Sequence, residues 1–550
     1  MFKFIISRNI LRLKTKASKD AILLLFCMIV IALTGCSKQK ITGGETIHQD
    51  TTGGEQPNSS LSNFSDIVVY GATSSGVIAA VQAKKMGKSV ILISNSDNVG
   101  GITASGLSYT DIGDIRALGG MSLDFYKGIQ SHYQEKGFAL EPKVALETFK
   151  NYISTNNIKC FYKERLLLNG GVSKEGKVIK SIKMESGKVF YAKEFIDASY
   201  EGDLMAKSGV SYTVGREDKS KYNEKFAGWG GVMALSIDPY VIKGDPSSGL
   251  FPHVNDKYNP TGQGDDLVQS YCFRLCVSNQ KDNMVSITKP EGYDSLQYQM
   301  LFRILDKNKN ATELLSIAPL PHNKFDINNT YHLSIDYVGG NKGYADGDYT
   351  ERANILAQHR VYEQGLLWTL QNDPRISATI RNKYSKYGLA KDEFVNNGNW
   401  PTELYVREGR RMVSDYVITE DVLFGRTEVV DPVGMASYNI DSHAVQYFIG
   451  SNRTVYVEGE LFEPLPRPYG ISYRAIIPKR SECQNLLVPV CLSASRVAQC
   501  SIRMEPQYMV LGQSAAIAAS MSIDQNIALQ DLSYSKLKDI LLQNNQVVKI

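Results

Sequence analysis

The sequence has 550 residues, of which 43% are apolar, 21% charged and 10% aromatic. This length exceeds a single hydrophobic core and predicts two or more lobes with appendages. The formal net charge is +4, but the first 35 residues carry six of the Lys and Arg and only one Asp. The remaining 55 basic and 56 acidic side chains leave a net charge of −1. A nearly neutral body argues against a nucleic-acid partner, which would require a basic surface.

The N-terminus is typical of a secretory signal. Basic residues from Lys3 to Lys19 precede an apolar run over residues 21–33. This run is shorter than the roughly 20 apolar residues that span a bilayer, so it fits the middle of a signal peptide. It ends in Leu33-Thr34-Gly35-Cys36, which is similar to a bacterial lipobox. We therefore expect residues 1–35 to be removed and Cys36 to be lipidated; the alternative is a plain signal or anchor with an incidental Cys.

A polar segment separates Cys36 from the body of the protein. Residues 36–65 are rich in Ser, Thr, Gly, Asn and Gln and lack apolar periodicity, which predicts a flexible tether. No later apolar stretch is comparable in length, so we expect membrane contact through the lipid anchor only. Residues 37–40 carry no acidic patch, which favours a periplasm-facing anchor. The sequence predicts an exported, membrane-anchored bacterial lipoprotein.

The body begins with the pattern of a dinucleotide-binding unit. Residues 67–70 and 89–93 are apolar and predict strands, and residues 77–86 between them predict a helix. The first strand is followed by the turn Gly71-Ala72-Thr73-Ser74-Ser75-Gly76, where a phosphate-binding turn belongs. Gly71 permits the tight turn, and Gly76 lets the helix pack closely on the strand. The helix N-terminus would then face the pyrophosphate.

This turn departs from the usual pattern at two positions. Thr73 replaces the middle glycine, and Ser94 stands where an acidic residue normally holds ribose hydroxyls. The loop at residues 98–107 adds weight, because it follows the second strand directly and contains Gly100, Gly101, Ser105, Gly106 and Leu107. In flavoproteins of the glutathione-reductase type, such a loop lets backbone amides approach the ribityl chain and flavin. The alternative is a glycine-rich surface turn.

The other pieces of the predicted cofactor domain are far apart in the sequence. Residues 157–162 predict a strand, and two hairpins with turns at 173–177 and 185–188 form a β-meander. The meander ends in Asp197-Ala198-Ser199, where two-dinucleotide-fold flavoproteins make their second FAD contact. Residues 485–491 predict an apolar strand, and residues 501–506 open a helix that continues through residue 520. A helix N-terminus aimed at the flavin would stabilise the negative charge of reduction, so we predict cofactor contacts from Arg503, Glu505, Gly512 and Gln513.

These segments together resemble the bacterial FAD-dependent oxidoreductase family (the FAD_oxidored group). More distantly, they are similar to the flavoprotein subunits of succinate dehydrogenase and fumarate reductase. The resemblance includes GGITASGLSYTDIG at residues 100–113 and FIDASYEGDLM at residues 195–205, and further stretches at 70–80, 271–276, 404–412, 437–443, 472–479, 501–506 and 512–513. It implies FAD and redox chemistry but names no substrate. The succinate-dehydrogenase relatives attach flavin to a His after the first βαβ unit; no His occurs between residues 49 and 131, so we expect noncovalent FAD.

The expected fold is α/β: a Rossmann-like FAD-binding domain of the glutathione-reductase type, with a β-meander and a large inserted lobe. The predicted boundaries are residues 66–215 and 470–550 for the two parts of the FAD domain and 216–469 for the substrate or cap lobe. Residues 216–469 lack a second unit of strand, glycine-rich turn and helix. This argues against an NAD(P)H domain, and the electron acceptor is therefore unknown.

Three residues are predicted to carry catalysis: His443, Arg411 and Arg474. His443 stands beside Asn439 and Asp441 and could be a general base or substrate ligand; the alternative is a structural loop histidine. Arg411, with its neighbours Arg407 and Arg410, could bind a carboxylate or the pyrophosphate, or could pair with Glu408 and Asp415. Arg474 precedes the last predicted flavin strand and could line the site.

The leading functional hypothesis is an oxidoreductase that transfers a hydride from a small substrate to FAD, with carbohydrate-derived molecules as candidates. The alternatives are a flavoprotein that catalyses a net non-redox elimination or isomerisation on a sugar derivative, and a lipoprotein that only binds a ligand. Spacings of the Cys-x2-Cys type are absent, and we predict no metal site.

Overall fold

The computed structural model describes residues 63–134, 137–330 and 334–550. The predicted signal peptide, Cys36 and nearly all of the predicted tether lie outside the described residues. The helices of the described parts are, in chain order, α1 Ser74–Lys85, α2 Gly101–Ala104, α3 Gly120–Tyr133, α4 Pro142–Thr155, α5 Asp203–Lys207, α6 Lys219–Tyr222, α7 Gln299–Lys307, α8 Tyr349–Asn372, α9 Ala378–Tyr384, α10 Glu420–Leu423, α11 Arg496–Ile502, α12 Glu505–Gln525 and α13 Tyr534–Gln543. None of the helices in these parts is long and apolar enough to cross a bilayer.

Seven strands of the described residues form the main sheet. Six of them lie in the order β3-β2-β1-β6-β5-β4, with β1 Phe64–Tyr70, β2 Val90–Ile93, β3 Lys159–Phe161, β4 Val172–Glu175, β5 Val178–Lys183 and β6 Val189–Asp197. The strands β3, β2, β1 and β6 are parallel to one another. β5 pairs antiparallel with β6, and β4 pairs antiparallel with β5. The predicted βαβ unit and β-meander are therefore confirmed.

The sheet is covered on both faces, as the apolar composition of its strands requires. Ile67 and Val69 of β1 belong to a core that also contains buried residues of α1 and α12. Val68 and Tyr70 point to the opposite face, into a second cluster that includes Phe195 of β6. Because both faces of β1 are buried, its carboxyl end is held firmly at the edge where the phosphate turn begins.

The C-terminal part joins this sheet with two differences from the sequence prediction. The strand expected over residues 485–491 is only Leu486–Leu487, which pairs parallel to β6. The helix expected to open at residue 501 is instead two helices, because α11 ends at Ile502 and α12 begins at Glu505. Met504 between them has extended backbone, with φ −79° and ψ 139°, and Pro506 lies in the first turn of α12.

Residues 216–469 contain a separate hydrophobic core and an antiparallel sheet. In spatial order, the strands of that sheet are Met284–Val285, Gly388–Ala390, Leu275–Ser278, Lys324–Asn328 and Ser316–Leu320. A second sheet has the strands Met233–Ala234, Val455–Glu458, Gln446–Ile449 and Val254–Asn255. Three two-stranded pairs complete the strands: Tyr212–Thr213 with Arg411–Met412, Pro432–Ala436 with Tyr469–Ser472, and Ile440–Ser442 with Leu461–Glu463.

The boundary between the inserted segment and the cofactor-binding part is not sharp. Ile418 and Val433 belong to the predicted lobe by sequence, yet both are buried in the core around α1 and α12. Residues 61–550 accordingly group as one compact unit. The boundaries at residues 215 and 470 stay predictions. The cysteines of the described residues are all unpaired, and all but Cys160 are buried.

Candidate active site

The phosphate turn closes so tightly that a side chain cannot replace its last glycine. A Cβ on Gly76 would lie 1.9 Å from the carbonyl oxygen of Gly71. Gly71 itself lies against Ala198 and Ser199, directly after β6. Its backbone nitrogen donates to the carbonyl of Ile93 in β2. The turn therefore brings the N-terminus of α1 to the carboxyl edge of the sheet, where parallel α/β folds bind ligands.

Thr73, the residue that replaces the usual middle glycine, is the N-cap of α1. Its Oγ1 accepts a hydrogen bond from the backbone nitrogen of Gly76 at 3.3 Å and donates to the carbonyl of Ala198 at 2.7 Å. Both interactions tie the side chain to the protein, which explains how a β-branched residue fits here. Ser75 is buried, and its hydroxyl has no hydrogen-bond partner among the described residues.

The carboxylate of Glu505 joins the separated pieces of the cofactor site. Its two oxygens accept hydrogen bonds from Ser74 at 2.6 Å, Thr103 at 2.7 Å and Tyr200 at 2.8 Å. The Tyr200 hydroxyl also accepts from the backbone nitrogen of Ile102 at 3.0 Å. Burial raises the pKa of Glu505, and the three hydroxyl hydrogen bonds oppose that shift. The N-terminus of α12 is thus fixed to the phosphate turn, the glycine-rich loop and the end of β6.

The glycine-rich loop contacts the inserted segment at its C-terminal end. Gly106 has φ +115°, and a Cβ there would lie 2.0 Å from the carbonyl oxygen of Arg274. Ser105 shares a hydrogen bond of 2.6 Å with Thr402. Leu107 packs in a small apolar cluster with Ile102 and Tyr405. Gly100 and Gly101 form the start of α2, with φ +94° and +56°. The loop is therefore a junction between the two parts of the protein rather than a surface turn.

Two cavities lie where β1 and β2 end. The first, the turn cavity, has a volume of about 200 Å³ and is lined by residues 71–73, 94–96, 199–201, Tyr344, Leu356 and residues 402–404. The second, the loop cavity, has about 750 Å³ and is lined by residues 95–98, Ala104, Lys143, Leu146, Lys150, Lys163, residues 392–397 and Thr402. The two share Asn95, Ser96 and Thr402. Ser94 lies at their edge, and its hydroxyl donates to the carbonyl of Asn98 at 2.7 Å.

The residues at this end of the molecule fit a dinucleotide cofactor. The tight turn and the N-terminus of α1 suit a pyrophosphate. Gln507, in the first turn of α12, is fully buried, and neither amide atom has a hydrogen-bond partner among the described residues. A buried amide without partners is rare, because its desolvation is then not compensated. A heteroaromatic ring whose edge carries hydrogen-bond donors and acceptors is a suitable partner for the Gln507 amide.

A third cavity, the His443 cavity, has a volume of about 620 Å³. Its polar lining includes Asp111, Arg274, Asn328, Asn329, Tyr405, Tyr438, Asp441, His443, Glu460 and Arg503. His443 directly follows the strand Ile440–Ser442, and its backbone nitrogen donates to Gln269 at 3.1 Å. Its side chain is 14% exposed. The size and lining are those of a small-molecule site.

The ring of His443 is oriented by a buried aspartate. Nδ1 lies 2.7 Å from Oδ2 of Asp336, and Nε2 lies 3.9 Å from Oδ2 of Asp441. Arg407 lies 2.9 Å from the other oxygen of Asp336. Burial alone would raise the pKa of Asp336, but the charge of Arg407 and the hydrogen bond from His443 hold it well below its usual range. An ionised Asp336 accepts from Nδ1–H, so Nε2 is left as the acceptor that faces the cavity.

Two arginines place positive charge on the wall of this cavity. Arg503 donates to the Tyr405 hydroxyl at 2.9 Å and to the backbone carbonyl of Asp441 at 2.9 Å. Arg274 pairs with the buried Asp326. The Nε atoms of both arginines are buried without a hydrogen-bond partner among the described residues. Arg503 therefore lies on the His443 cavity and joins the predicted cofactor helix to the catalytic region.

The structure does not bring the other two predicted catalytic residues to His443. Arg411 is buried and donates to Glu217 at 2.6 Å and to the carbonyl of Gly215 at 2.8 Å. Arg474 lies on the ring of Tyr416 and donates to Asp431 at 3.0 Å, with 44% of its side chain exposed. The neighbours Arg407 and Arg410 also form ion pairs, but with Asp336, Asp203 and Asp346 rather than with the predicted Glu408 and Asp415.

Gly512 and Gln513 lie at helix contacts rather than at a cavity wall. A Cβ on Gly512 would lie 2.2 Å from the carbonyl oxygen of Ser75, so this glycine lets α12 cross α1 closely. Gln513 donates to Gln82 at 3.0 Å and accepts from the backbone nitrogen of Met121 at 2.9 Å. Both residues position α12 on the cofactor-binding part, and their effect on a cofactor is indirect.

Sequence reasoning missed Asp336, the partner of His443. It lies in an irregular segment 107 residues before His443, and no local motif marks it. It also missed a cluster of Glu141, Asp392 and Glu393, whose oxygens are close enough for a metal ion. The ammonium group of Lys324 already lies 2.6 Å from Glu141 and 2.8 Å from Asp392. Lys324 therefore already supplies a cation to this cluster.

Comparison with known proteins decides the family. The sequence matches the model of the FAD dependent oxidoreductase family over residues 66–541. The chain belongs to this family. It is accordingly an enzyme with FAD as its cofactor, and the Rossmann-like α/β fold predicted from the sequence is confirmed. No curated protein matches the sequence. The distant similarity to succinate dehydrogenase and fumarate reductase stays a prediction.

Solved structures similar to this FAD-dependent oxidoreductase are remote. A geranylgeranyl bacteriochlorophyll reductase-like protein from Thermoplasma acidophilum is 11% identical, with a TM-score of 0.33 over 88% of this chain and 84% of its own. A flavin-containing monooxygenase from Stenotrophomonas maltophilia is 16% identical, with a TM-score of 0.19, and the match covers 29% of this chain and 43% of that protein. T. acidophilum thioredoxin reductase is 17% identical, with a TM-score of 0.18, and the match covers 29% of this chain and 40% of that protein. The matches thus span less than half of the last two proteins.

Proposed function

We propose that this enzyme oxidises a hydroxyl group of a small, carbohydrate-derived substrate in the His443 cavity. The observation that carries the proposal is the hydrogen bond of 2.7 Å between Nδ1 of His443 and the buried carboxylate of Asp336. A carboxylate in that position fixes the tautomer of the ring and stabilises the cation that forms when Nε2 takes a proton. His443 is then the general base, and Asp336 is its positioning residue.

The other residues of the cavity suit a substrate rich in hydroxyls. Asp111, Asp441 and Glu460 offer carboxylate oxygens as acceptors, and Asn328 and Asn329 offer amides that donate and accept. The exposed ring of Phe462 at the same cavity offers an apolar surface for the carbon face of a sugar. These groups support a polyhydroxylated substrate over an apolar one.

The chain's own residues would divide the chemistry as follows. The substrate hydroxyl gives its proton to Nε2 of His443, and the carbon–oxygen bond becomes a carbonyl as a hydride leaves the carbon. When bound, FAD supplies the acceptor for that hydride. Arg503, which lines the same cavity, would stabilise the substrate oxygen through its positive charge. We also propose that FAD is held noncovalently; the flavin should then be released by acid precipitation of the protein.

The direct test is anaerobic mixing of the purified enzyme with a panel of sugars, sugar acids and polyols. A suitable substrate bleaches the visible flavin absorbance once, and turnover resumes only when an electron acceptor is added. Turnover without any acceptor would instead indicate a net elimination or isomerisation. Substrate binding without bleaching or turnover would contradict catalysis on hydroxyl compounds and favour a ligand-binding role.

We further propose that the enzyme is exported and anchored in a bacterial membrane through lipidated Cys36, facing the periplasm. The basic segment, the short apolar run and the lipobox-like Leu33-Thr34-Gly35-Cys36 support this location. The replacement Cys36→Ala should abolish lipid labelling and release the protein from the membrane fraction. Retention of the variant in membranes with unchanged lipid labelling would contradict the anchor.

A further inference from the structure

The cofactor site lacks an acidic residue at the position where this fold normally provides one. In dinucleotide-binding units, an Asp or Glu at the end of the second strand accepts hydrogen bonds from the ribose hydroxyls. Here β2 ends before Ser94, whose hydroxyl donates to the carbonyl of Asn98 at 2.7 Å. Ser94 is only 2% exposed. Its hydroxyl is therefore committed to the loop, and a ribose in the turn cavity needs its carboxylate from elsewhere.

A carboxylate reaches the turn cavity from the inserted segment. Glu403 lies in the wall that faces the phosphate turn and the strand end at Ser94. Its neighbour Thr402 bonds to Ser105 at 2.6 Å, which fixes this part of the inserted segment against the glycine-rich loop. Tyr405, two residues after Glu403, is 7% exposed and packs with Leu107. The backbone that carries Glu403 is thus anchored on both sides.

Glu403 is available for a ligand, whereas its neighbour Glu201 is less so. Glu201 accepts a hydrogen bond from the Tyr344 hydroxyl at 3.1 Å. Burial raises the pKa of Glu201, and the charge of Arg352 opposes that shift. The carboxylate of Glu403 has no hydrogen-bond or ion-pair partner among the described residues. Burial, followed by the charges of Glu201 and Glu505, raises the pKa of Glu403 to about 8. A ligand that donates hydrogen bonds would relieve this desolvated carboxylate.

The charges of the ligand decide which part of it Glu403 would contact. A pyrophosphate is anionic, and a carboxylate next to it would be repelled. Ribose hydroxyls are neutral donors, and a carboxylate accepts two of them well. The turn cavity contains both the phosphate turn and the strand end at Ser94, so the ribose can lie between that strand end and Glu403.

We propose that Glu403 accepts hydrogen bonds from the adenosine ribose hydroxyls of FAD, in place of the acid missing at the end of β2. The inserted segment then contributes to cofactor binding as well as to the His443 cavity. This assignment concerns affinity for the cofactor and does not depend on the identity of the substrate.

The test measures the dissociation constants of FAD and FMN from the deflavinated full-length protein by the quenching of flavin fluorescence. We expect Glu403→Gln to weaken FAD binding about 10- to 100-fold at about pH 9, above the raised pKa of Glu403, as for a lost charge-assisted hydrogen bond. FMN retains the ribityl chain but lacks adenosine, and its affinity should be unchanged. The matched control is Glu175→Gln in β4, which removes an exposed carboxylate that pairs with Lys180 and should leave FAD binding unchanged.

A second arm leaves the protein intact. The wild-type enzyme should bind an FAD analogue that lacks the adenosine 2′-hydroxyl about 10-fold more weakly than FAD. The variant Glu403→Gln should bind both forms with nearly equal affinity. Equal weakening of FAD and FMN by Glu403→Gln, or a wild-type enzyme that does not distinguish the two forms of FAD, would overturn the proposal.

Discussion

At the dinucleotide end, the cavities are lined by the turn after β1 and by the residues that follow β2 and β6, together with parts of the inserted segment. The His443 cavity is lined mainly by polar and charged side chains, which include Asp111, His443 and Arg503. The first site relies on backbone shape: a turn with almost no room for a side chain, and helix N-termini at a buried sheet. The second relies on side chains held by buried ion pairs. A change of shape should therefore damage the first site, and a change of charge should damage the second.

The largest effect is expected from a side chain in the phosphate turn. The replacement Gly76→Val places a Cβ 1.9 Å from the carbonyl oxygen of Gly71, so the turn must open. We expect the purified variant to contain no bound flavin by absorbance and to recover none on addition of FAD. Gly128→Ala in α3 is the control, because a Cβ there meets no atom within 4 Å. A Gly76→Val protein that keeps stoichiometric FAD would contradict the shape-based account.

The next effect breaks the ion pair behind His443. Asp336→Ala leaves Arg407 buried without its carboxylate, which should cost about 3–5 kcal/mol in the free energy of unfolding. Chemical denaturation measures this loss. The control Lys180→Ala removes the ion pair with Glu175, in which both side chains are exposed, and it should cost about 0–1 kcal/mol. Equal costs for the two variants would show that the buried pair does not support the His443 cavity.

The smallest expected effect is on stability and comes from a buried carboxyl group in the main sheet. Burial raises the pKa of Glu194 in β6 to about 8, against its ordinary 4.5, despite a hydrogen bond from Ser522. The folded protein then holds a proton that the unfolded chain releases, so this residue lowers stability as pH rises from 4.5 to about 8.

Glu194→Gln should therefore stabilise the protein by roughly 1–3 kcal/mol near pH 8 and by much less near pH 5. Thermal unfolding at the two pH values measures the difference. Because Glu194 lines none of the three cavities, flavin content should not change. A gain that is the same at both pH values would assign the effect to packing rather than to charge.

The sequence predicted the dinucleotide end well because its signals are local. Residues 71–76 lie between an apolar strand and a helix, and that order alone predicts the fold and the position of the turn. The convergence of the pieces at 98–107 and 195–203 with α12 was also predicted. The role of Glu505 as the residue that joins them was not, because a buried carboxylate bonded to three hydroxyls leaves no spacing pattern.

The His443 cavity was predicted only in part, for a physical reason. His443 has a polar neighbourhood in sequence, but its partner Asp336 comes from an irregular segment that tertiary packing alone brings close. Arg411 and Arg474 have similar local surroundings, yet each is paired with an acidic residue from a distant element, Glu217 or Asp431. Sequence shows which side chains carry charge, and only the fold shows which charges are already neutralised.

The proposed function requires that His443 acts as the base in substrate oxidation and is not needed to hold the cofactor. The most direct measurement compares His443→Gln with the wild type, recording flavin content and the anaerobic rate of flavin bleaching by substrate. We predict unchanged flavin content and a bleaching rate lowered about 100- to 10,000-fold, as for loss of a general base. A variant that bleaches at the wild-type rate with full flavin content would contradict the claim.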